Sequence, residues 1–136
     1  MREILFRGKR KDDGEWIEGS YFEMPTEDTY ILTSRQETKF IFRILPETVG
    51  QYTGLIDKNG KKIFEGDIIE FADCLDEQHK GVVYWRSGSY NVDCSKSDSK
   101  DECFFRLFTA YACGAKIIGN IYDNPELLGG EQNATD

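Results

Sequence analysis

The stretch Thr53-Gly54-Leu55-Ile56-Asp57-Lys58-Asn59-Gly60-Lys61-Lys62-Ile63-Phe64-Glu65-Gly66-Asp67-Ile68-Ile69-Glu70-Phe71 decides the fold. Short apolar runs are separated by two polar breaks, each carrying a glycine. Runs of this length read as strands, because a helix needs a longer periodic segment. Asn59-Gly60 suits the positive φ angles of a type I′ turn, so residues 53–56 and 61–64 are expected to pair as a hairpin. Glu65-Gly66-Asp67 turns the chain again, into a strand that sets Ile69 and Phe71 on one face.

The same pattern extends in both directions. On the N-terminal side, residues 2–7, 15–22, 29–33 and 39–45 read as strands. Asp13-Gly14 is a turn signal, and Gly19 marks a bulge or a close approach of backbones. Phe40, Phe42 and Ile44 fall on one face by the period of two. Pro46-Glu47-Thr48 opens no more than one helical turn before Gly50. On the C-terminal side, residues 81–86, 103–111 and 115–122 read as strands. Residues 94–102 read as a mobile Ser/Lys/Asp loop, and Asn124-Pro125-Glu126-Leu127-Leu128 as one turn capped by Asn124. The expected fold is mainly β: antiparallel strands in a small barrel or roll, with at most short helical turns.

Composition agrees. The strand-favouring residues Val, Ile, Phe, Tyr, Trp and Thr number 42 of 136, against 15 for Ala, Leu and Met, which is the balance of a pleated surface. The net charge of −8 disfavours broad binding to phosphate backbones. No apolar run approaches the roughly 20 residues of a membrane helix. Met1-Arg2-Glu3-Ile4-Leu5-Phe6-Arg7 has no apolar signal core, so a cytoplasmic location and no membrane partner are expected.

Side chains with catalytic or ligating chemistry are sparse. Cys74, Cys94, Cys103 and Cys113 lie 20, 9 and 10 residues apart and contain no C-x-x-C pair. Four free thiols, mostly buried as small hydrophobes, are therefore expected, with no metal or other cofactor. His79 is the only histidine. Its run Asp76-Glu77-Gln78-His79-Lys80 reads as a solvated turn, so nucleophile–His catalysis has no evident base. No phosphate-binding glycine loop occurs. Glu65 and Asp67 offer paired carboxylates for a cation or for acid–base work. The structural reading, in which Asp67 accepts backbone N–H groups in the turn, is the stronger.

Charge is uneven along the chain. Residues 1–11 carry +4, from Arg2, Arg7, Lys9, Arg10 and Lys11 against Glu3, leaving −12 for the rest. Lys58, Lys61 and Lys62 add a second basic patch. With Trp16 and Tyr21 nearby in sequence, these residues are candidates for a nucleic-acid or partner contact, since small β folds hold single strands with basic and aromatic side chains. The alternative is pairing within the protein or with another subunit.

Three segments carry a family resemblance. Arg2-Glu3-Ile4-Leu5-Phe6-Arg7-Gly8-Lys9 with Trp16-Ile17-Glu18-Gly19, the stretch from Glu47 to Ile69, and Ile118-Gly119-Asn120-Ile121-Tyr122-Asp123-Asn124-Pro125-Glu126-Leu127-Leu128 together resemble the YopX family of small phage and prophage proteins. The resemblance is weak over residues 72–113. It implies one β-rich domain over 1–128, with an N-terminal β subregion at 1–45, a barrel-like region at 46–128 and a flexible tail at 129–136. Glu65-Gly66-Asp67 before an apolar strand is also similar to the opening turn of SH3-like barrels. The resemblance supplies no catalytic residue. Gly50, Tyr52, Gly54, Asn59, Gly60, Gly66, Asp67, Gly119, Asn120, Asn124 and Pro125 read as scaffold. The expected role is a non-enzymatic accessory protein in a bacterial host, binding itself or a host or phage protein. A nucleic-acid-binding accessory protein using the basic N-terminal strand is the alternative.

Overall fold

The computed structural model describes residues 3–26, 28–95 and 104–128. The chain forms two compact units, Met1–Gly54 and Leu55–Asp136. The fold is mainly β, built from antiparallel strands with short helical pieces.

In the first unit the strands are β1 (Phe6–Lys9), β2 (Trp16–Glu23), β3 (Thr29–Arg35), β4 (Thr38–Arg43) and β5 (Gly50–Ile56), which runs on into the second unit. They lie in the order β4-β3-β2-β1-β5. A single 3-10 turn, Pro46–Thr48, precedes β5 as expected. Ile17, Ile31 and Ile44 form the buried centre, with Tyr21, Phe42 and Val49 packed on it. The first strand is displaced from the expected 2–7: it begins at Phe6, and Ile4 is exposed. Gly8 explains the shift. It lies opposite Ile17, where a Cβ would run into Ile44, so the strand is held where its backbone meets the core. Gly19 is a close-approach point, because a Cβ there would strike the Leu32 carbonyl.

The second unit holds β6 (Lys62–Phe64), β7 (Asp67–Ala72), β8 (Gln78–Arg86), β9 (Ser89–Asp93), β10 (Phe104–Arg106), helix α1 (Leu107–Ala112) and β11 (Lys116–Asn120). Five of the strands form an open sheet in the order β10-β9-β8-β7-β11. It does not close into a barrel, so the roll describes it better. Ile63, Ile69, Phe71, Val83, Val92, Leu107, Ala110 and Ala115 make its core. Ile69 and Phe71 are both buried, as the period of two requires.

Four local expectations change. Residues 103–111 are not one strand: β10 ends at Arg106 and α1 follows. Leu107 and Ala110 bury one side of the helix at the i, i+3 spacing. Gly114 at φ 78° stops it, with Ala115 N–H on the Ala110 carbonyl and Gly114 N–H on that of Tyr111, a Schellman close. Next, β9 had no counterpart in the sequence reading. Its turn, Ser87-Gly88, has positive φ at both residues and a two-residue loop between the paired Arg86 and Ser89, the type I′ geometry. The type I′ turn expected at Asn59-Gly60 is instead a three-residue loop. Asp57 bonds across to Lys61, and only Gly60, at φ 85°, is left-handed. Finally, Cys94 is wholly buried in the core rather than opening a mobile loop. Residues 96–102 of that loop and the tail at 129–136 lie outside the described residues.

No helix among the described residues is long and apolar enough to cross a membrane.

Candidate functional site

Of the basic residues expected to form a contact surface, Arg7, Lys9 and Arg10 are engaged by neighbouring rings or carboxylates. On the outward face of β1 and β2, Lys9 stands opposite Trp16, with Arg7 two pairs further along. The Arg7 guanidinium lies 4.6 Å from the indole centre and the Lys9 ammonium 5.6 Å from it. Two cations share one ring, a contact worth about 0.5–1 kcal/mol each when exposed. Arg10 is held by Asp12 at 2.9 Å and Asp13 at 3.4 Å, and its guanidinium lies 4.3 Å from the Phe42 ring centre. Lys11 is exposed, as are Lys58, Lys61 and Lys62 around the hairpin turn of the second unit.

The family-motif residues are spent on the backbone. Asp57 is 5% exposed. One of its oxygens accepts from the N–H groups of Asn59 (2.9 Å) and Lys61 (2.8 Å), and the other from Ile117 (3.0 Å). Burial pushes its carboxyl pKa up. The three N–H donors together outweigh that and hold it below the ordinary carboxylate value. Asp67, also buried, accepts from Phe64 N–H at 2.8 Å, the turn-fixing role read from sequence. Gly66, at φ 90°, lies under the Tyr122 ring. Gly119 sits at an irregularity in the β7–β11 register. The Asn124 side chain accepts from Asn120 N–H at 3.2 Å, so it reaches back to β11 instead of capping the 3-10 turn Pro125–Leu128. Asn120 in turn accepts from the N–H groups of Tyr122 and Asp123. Tyr52 is buried in β5, and Gly50 and Gly54 lie on the same strand.

His79 is not in a solvated turn. It is buried within β8, its ring centre 5.4 Å from that of Phe71 and 4.6 Å from that of Phe105. The reason is Asp73, whose carboxylate accepts from Leu75 and Glu77 N–H groups and closes the β7–β8 turn early. Strand alternation then carries His79 inward. Asp73 also meets His79 Nε2 at 2.7 Å, and this bond, ahead of the Glu77 and Leu75 N–H groups, holds its carboxyl below the usual range. With Glu77, these two bring ligand atoms within 4.8 Å of one another. Both Asp73 oxygens are already occupied by the turn and the histidine. The thiols vary: Cys74 is exposed, Cys94 buried and Cys113 half-buried, while Cys103 lies outside the described residues. Among the described residues, only Cys94 fills the expected core role completely.

A surface the sequence reading passed over is the edge strand β4. It pairs β3 on one side only, and Phe40 (41%) and Ile41 (59%) are exposed. Ile44 N–H goes to the Thr29 carbonyl, and the Arg43 carbonyl takes Lys11 N–H on the other side. By alternation, the N–H and C=O groups of Lys39 and Ile41 face outward from the sheet. The signal was the run Phe40-Ile41-Phe42, apolar at consecutive positions where a half-buried strand alternates.

Comparison with known proteins agrees with the fold. The family model described as "YopX protein" matches residues 5–129. A solved structure, the crystal structure of protein EF1440 from Enterococcus faecalis, is similar with a TM-score of 0.57 and 23% identity over 94% of this chain and 99% of that one. A comparison with curated proteins finds no match.

Proposed function

The chain belongs to the YopX protein family, and from that premise we propose that it is a non-enzymatic accessory protein of a phage or prophage, a β module that works by protein contact and associates with itself through β4. The observation that carries this is the exposed apolar edge. A strand with unpaired outward N–H and C=O groups is a template for pairing, and proteins usually blunt such edges with charge or proline. Here the centre of the edge is Phe40-Ile41.

The edge is complementary to itself. A two-fold axis at Phe40 sets Lys39 opposite Ile41 of a second copy, so that their outward groups exchange both hydrogen bonds. Phe40 then meets Phe40, and Thr38 meets Phe42, with no like charges opposed. The cytoplasmic setting is the one implied by the family resemblance.

Light scattering across a concentration series tests the reading. The wild-type protein is expected to form a dimer. Ile41→Lys places an ammonium opposite Lys39 across the pair and should return it to monomer, with a melting temperature that no longer depends on protein concentration. A wild type that stays monomeric up to roughly 300 µM, a range that captures small weak interfaces, would overturn the assignment. So would an I41K protein that dimerises as before.

A further inference from the structure

The second unit carries an unassigned site on the outward face of β8, β9 and β10. Tyr84, Asn91 and Arg106 stand in one row across the three strands, and Arg86 pairs Ser89 in the next row. With Ser87 these six line a shallow depression of about 340 Å³. The volume lies at the lower end of small-molecule sites and matches a single nucleotide. The next row adds Phe104, half-exposed, whose ring centre lies 6.5 Å from that of Tyr84 in an edge-on arrangement.

Two features give the depression a ligand chemistry. Arg86 and Arg106 are exposed, and among the described residues neither guanidinium forms a salt bridge. Their Cα atoms are separated by two strand spacings and two residues, roughly 12 Å, a span two extended arginines close upon one oxyanion. Beside them are the aromatic faces of Tyr84 and Phe104. Asn91 fixes the arrangement: its amide donates to the Arg86 carbonyl at 3.3 Å and the Ser89 carbonyl at 3.1 Å, holding the Ser87-Gly88 turn at the rim. The nearest acid in the row of Phe104 is Asp93, which accepts from Ser95 N–H and Oγ.

We infer that this face binds a nucleotide unit of single-stranded nucleic acid, with a phosphate between Arg86 and Arg106 and a base stacked on Tyr84, whose ring Phe104 buttresses edge-on. Stacking on an aromatic ring is worth about 1–3 kcal/mol per base and tolerates any sequence, whereas a net charge of −8 limits contact with phosphates to this local pair. Binding should therefore be weak in salt dependence as well as sequence-tolerant. One phosphate held on a single strand predicts a slope of about −0.7 in log K against log salt, far from that of a basic groove.

Fluorescence polarisation with labelled dT and rU 12-mers at low salt is the test. Arg86→Ala with Arg106→Ala should weaken binding at least tenfold, and Tyr84→Ala at least threefold. Arg86→Lys with Arg106→Lys should restore part of it, and neutralising Lys58, Lys61 and Lys62 should change it little. Competition by millimolar UMP or AMP alone, with no gain in affinity for the 12-mers, would identify the free nucleotide as the source of this chemistry. Equal competition by polyglutamate overturns the inference in favour of a simple anion surface. No binding by the wild type, or no loss in a folded R86A/R106A protein, also overturns it.

Discussion

Replacing Asp57 with alanine tests whether the central motif is scaffold. Its carboxylate accepts three backbone N–H groups: two in its own turn and that of Ile117, 60 residues away. An unsatisfied buried donor costs about 1–3 kcal/mol. Water can reach the Asn59 and Lys61 N–H groups in an exposed turn, so they count near the low end and Ile117 near the high end. The expected loss is about 3–5 kcal/mol, a large share of the roughly 5–15 kcal/mol of a typical domain. Asp57→Asn keeps one acceptor oxygen but turns an NH2 group towards a donor, so it should lose about 1–3 kcal/mol. Urea unfolding followed by Trp85 fluorescence, in a Trp16→Phe background, reads the second unit. The pH dependence gives an independent check. The folded carboxyl pKa is depressed, so the stability Asp57 contributes is complete above the unfolded value of about 4 and is lost as pH falls through the folded value. The gap between wild type and D57A should accordingly narrow from pH 7 towards pH 3. A loss under about 1 kcal/mol, or a gap equal at both pH values, would refute the reasoning, since the charged acceptor would then not be what holds the turn.

Two further substitutions probe backbone geometry. Gly19→Ala drives a Cβ into the Leu32 carbonyl of the neighbouring strand, and backbone cannot swing aside as a side chain can. The loss should be about 2–3 kcal/mol, read by Trp16 fluorescence in a Trp85→Phe background. Ser87→Asn should instead stabilise, by about 0.5 kcal/mol in thermal or urea unfolding, because Asn accepts the φ of 55° at that position more readily than Ser. A neutral or destabilising result there would show that the turn adopts another type.

Much of the strand pattern was legible because glycine punctuates it. Gly60 and Gly66 do sit at positive φ, and Ile69 and Phe71 do face the core. What was hidden follows from competing signals. In Phe104-Phe105-Arg106-Leu107-Phe108-Thr109-Ala110-Tyr111 the aromatic content favours a strand, which masks the i, i+3 pair Leu107 and Ala110; the glycine at 114 was the clue to a helix end. His79 was read from its charged neighbours, yet a turn closed early by Asp73 starts β8 at Gln78, which makes His79 and Lys80 strand residues on alternate faces. The local run therefore misled because the deciding group lies six residues upstream. The Asn59-Gly60 signal was sound in kind and wrong in type. Asp57 accepts two N–H groups of the loop and so stabilises three residues in place of two. For the basic patch, sequence proximity could not reveal that Arg10 lies between two aspartates and a phenylalanine ring.

The distribution of unspent chemistry bears on where function lies. The most distinctive family segments, around residues 47–69 and 118–128, hold polar side chains whose hydrogen bonds go to backbone: Asp57, Asp67, Asn120 and Asn124. A side chain that satisfies buried N–H groups is constrained by the fold whatever the protein does, so a family signature made of such residues identifies an architecture. The groups to which binding is assigned lie elsewhere. Phe40 and Ile41 are on β4, while Arg86, Arg106 and Phe104 belong to the interval where the resemblance is weakest. Surface residues supported by a rigid sheet can change without loss of the fold, which is the condition under which one scaffold comes to serve different partners. On this reasoning, loss of Asp57 should lower the stability of the second unit, whereas I41K and R86A/R106A should each remove one binding property and spare the other. If the two surface variants instead fail together, the faces are not independent and the scaffold reading of the motif is wrong.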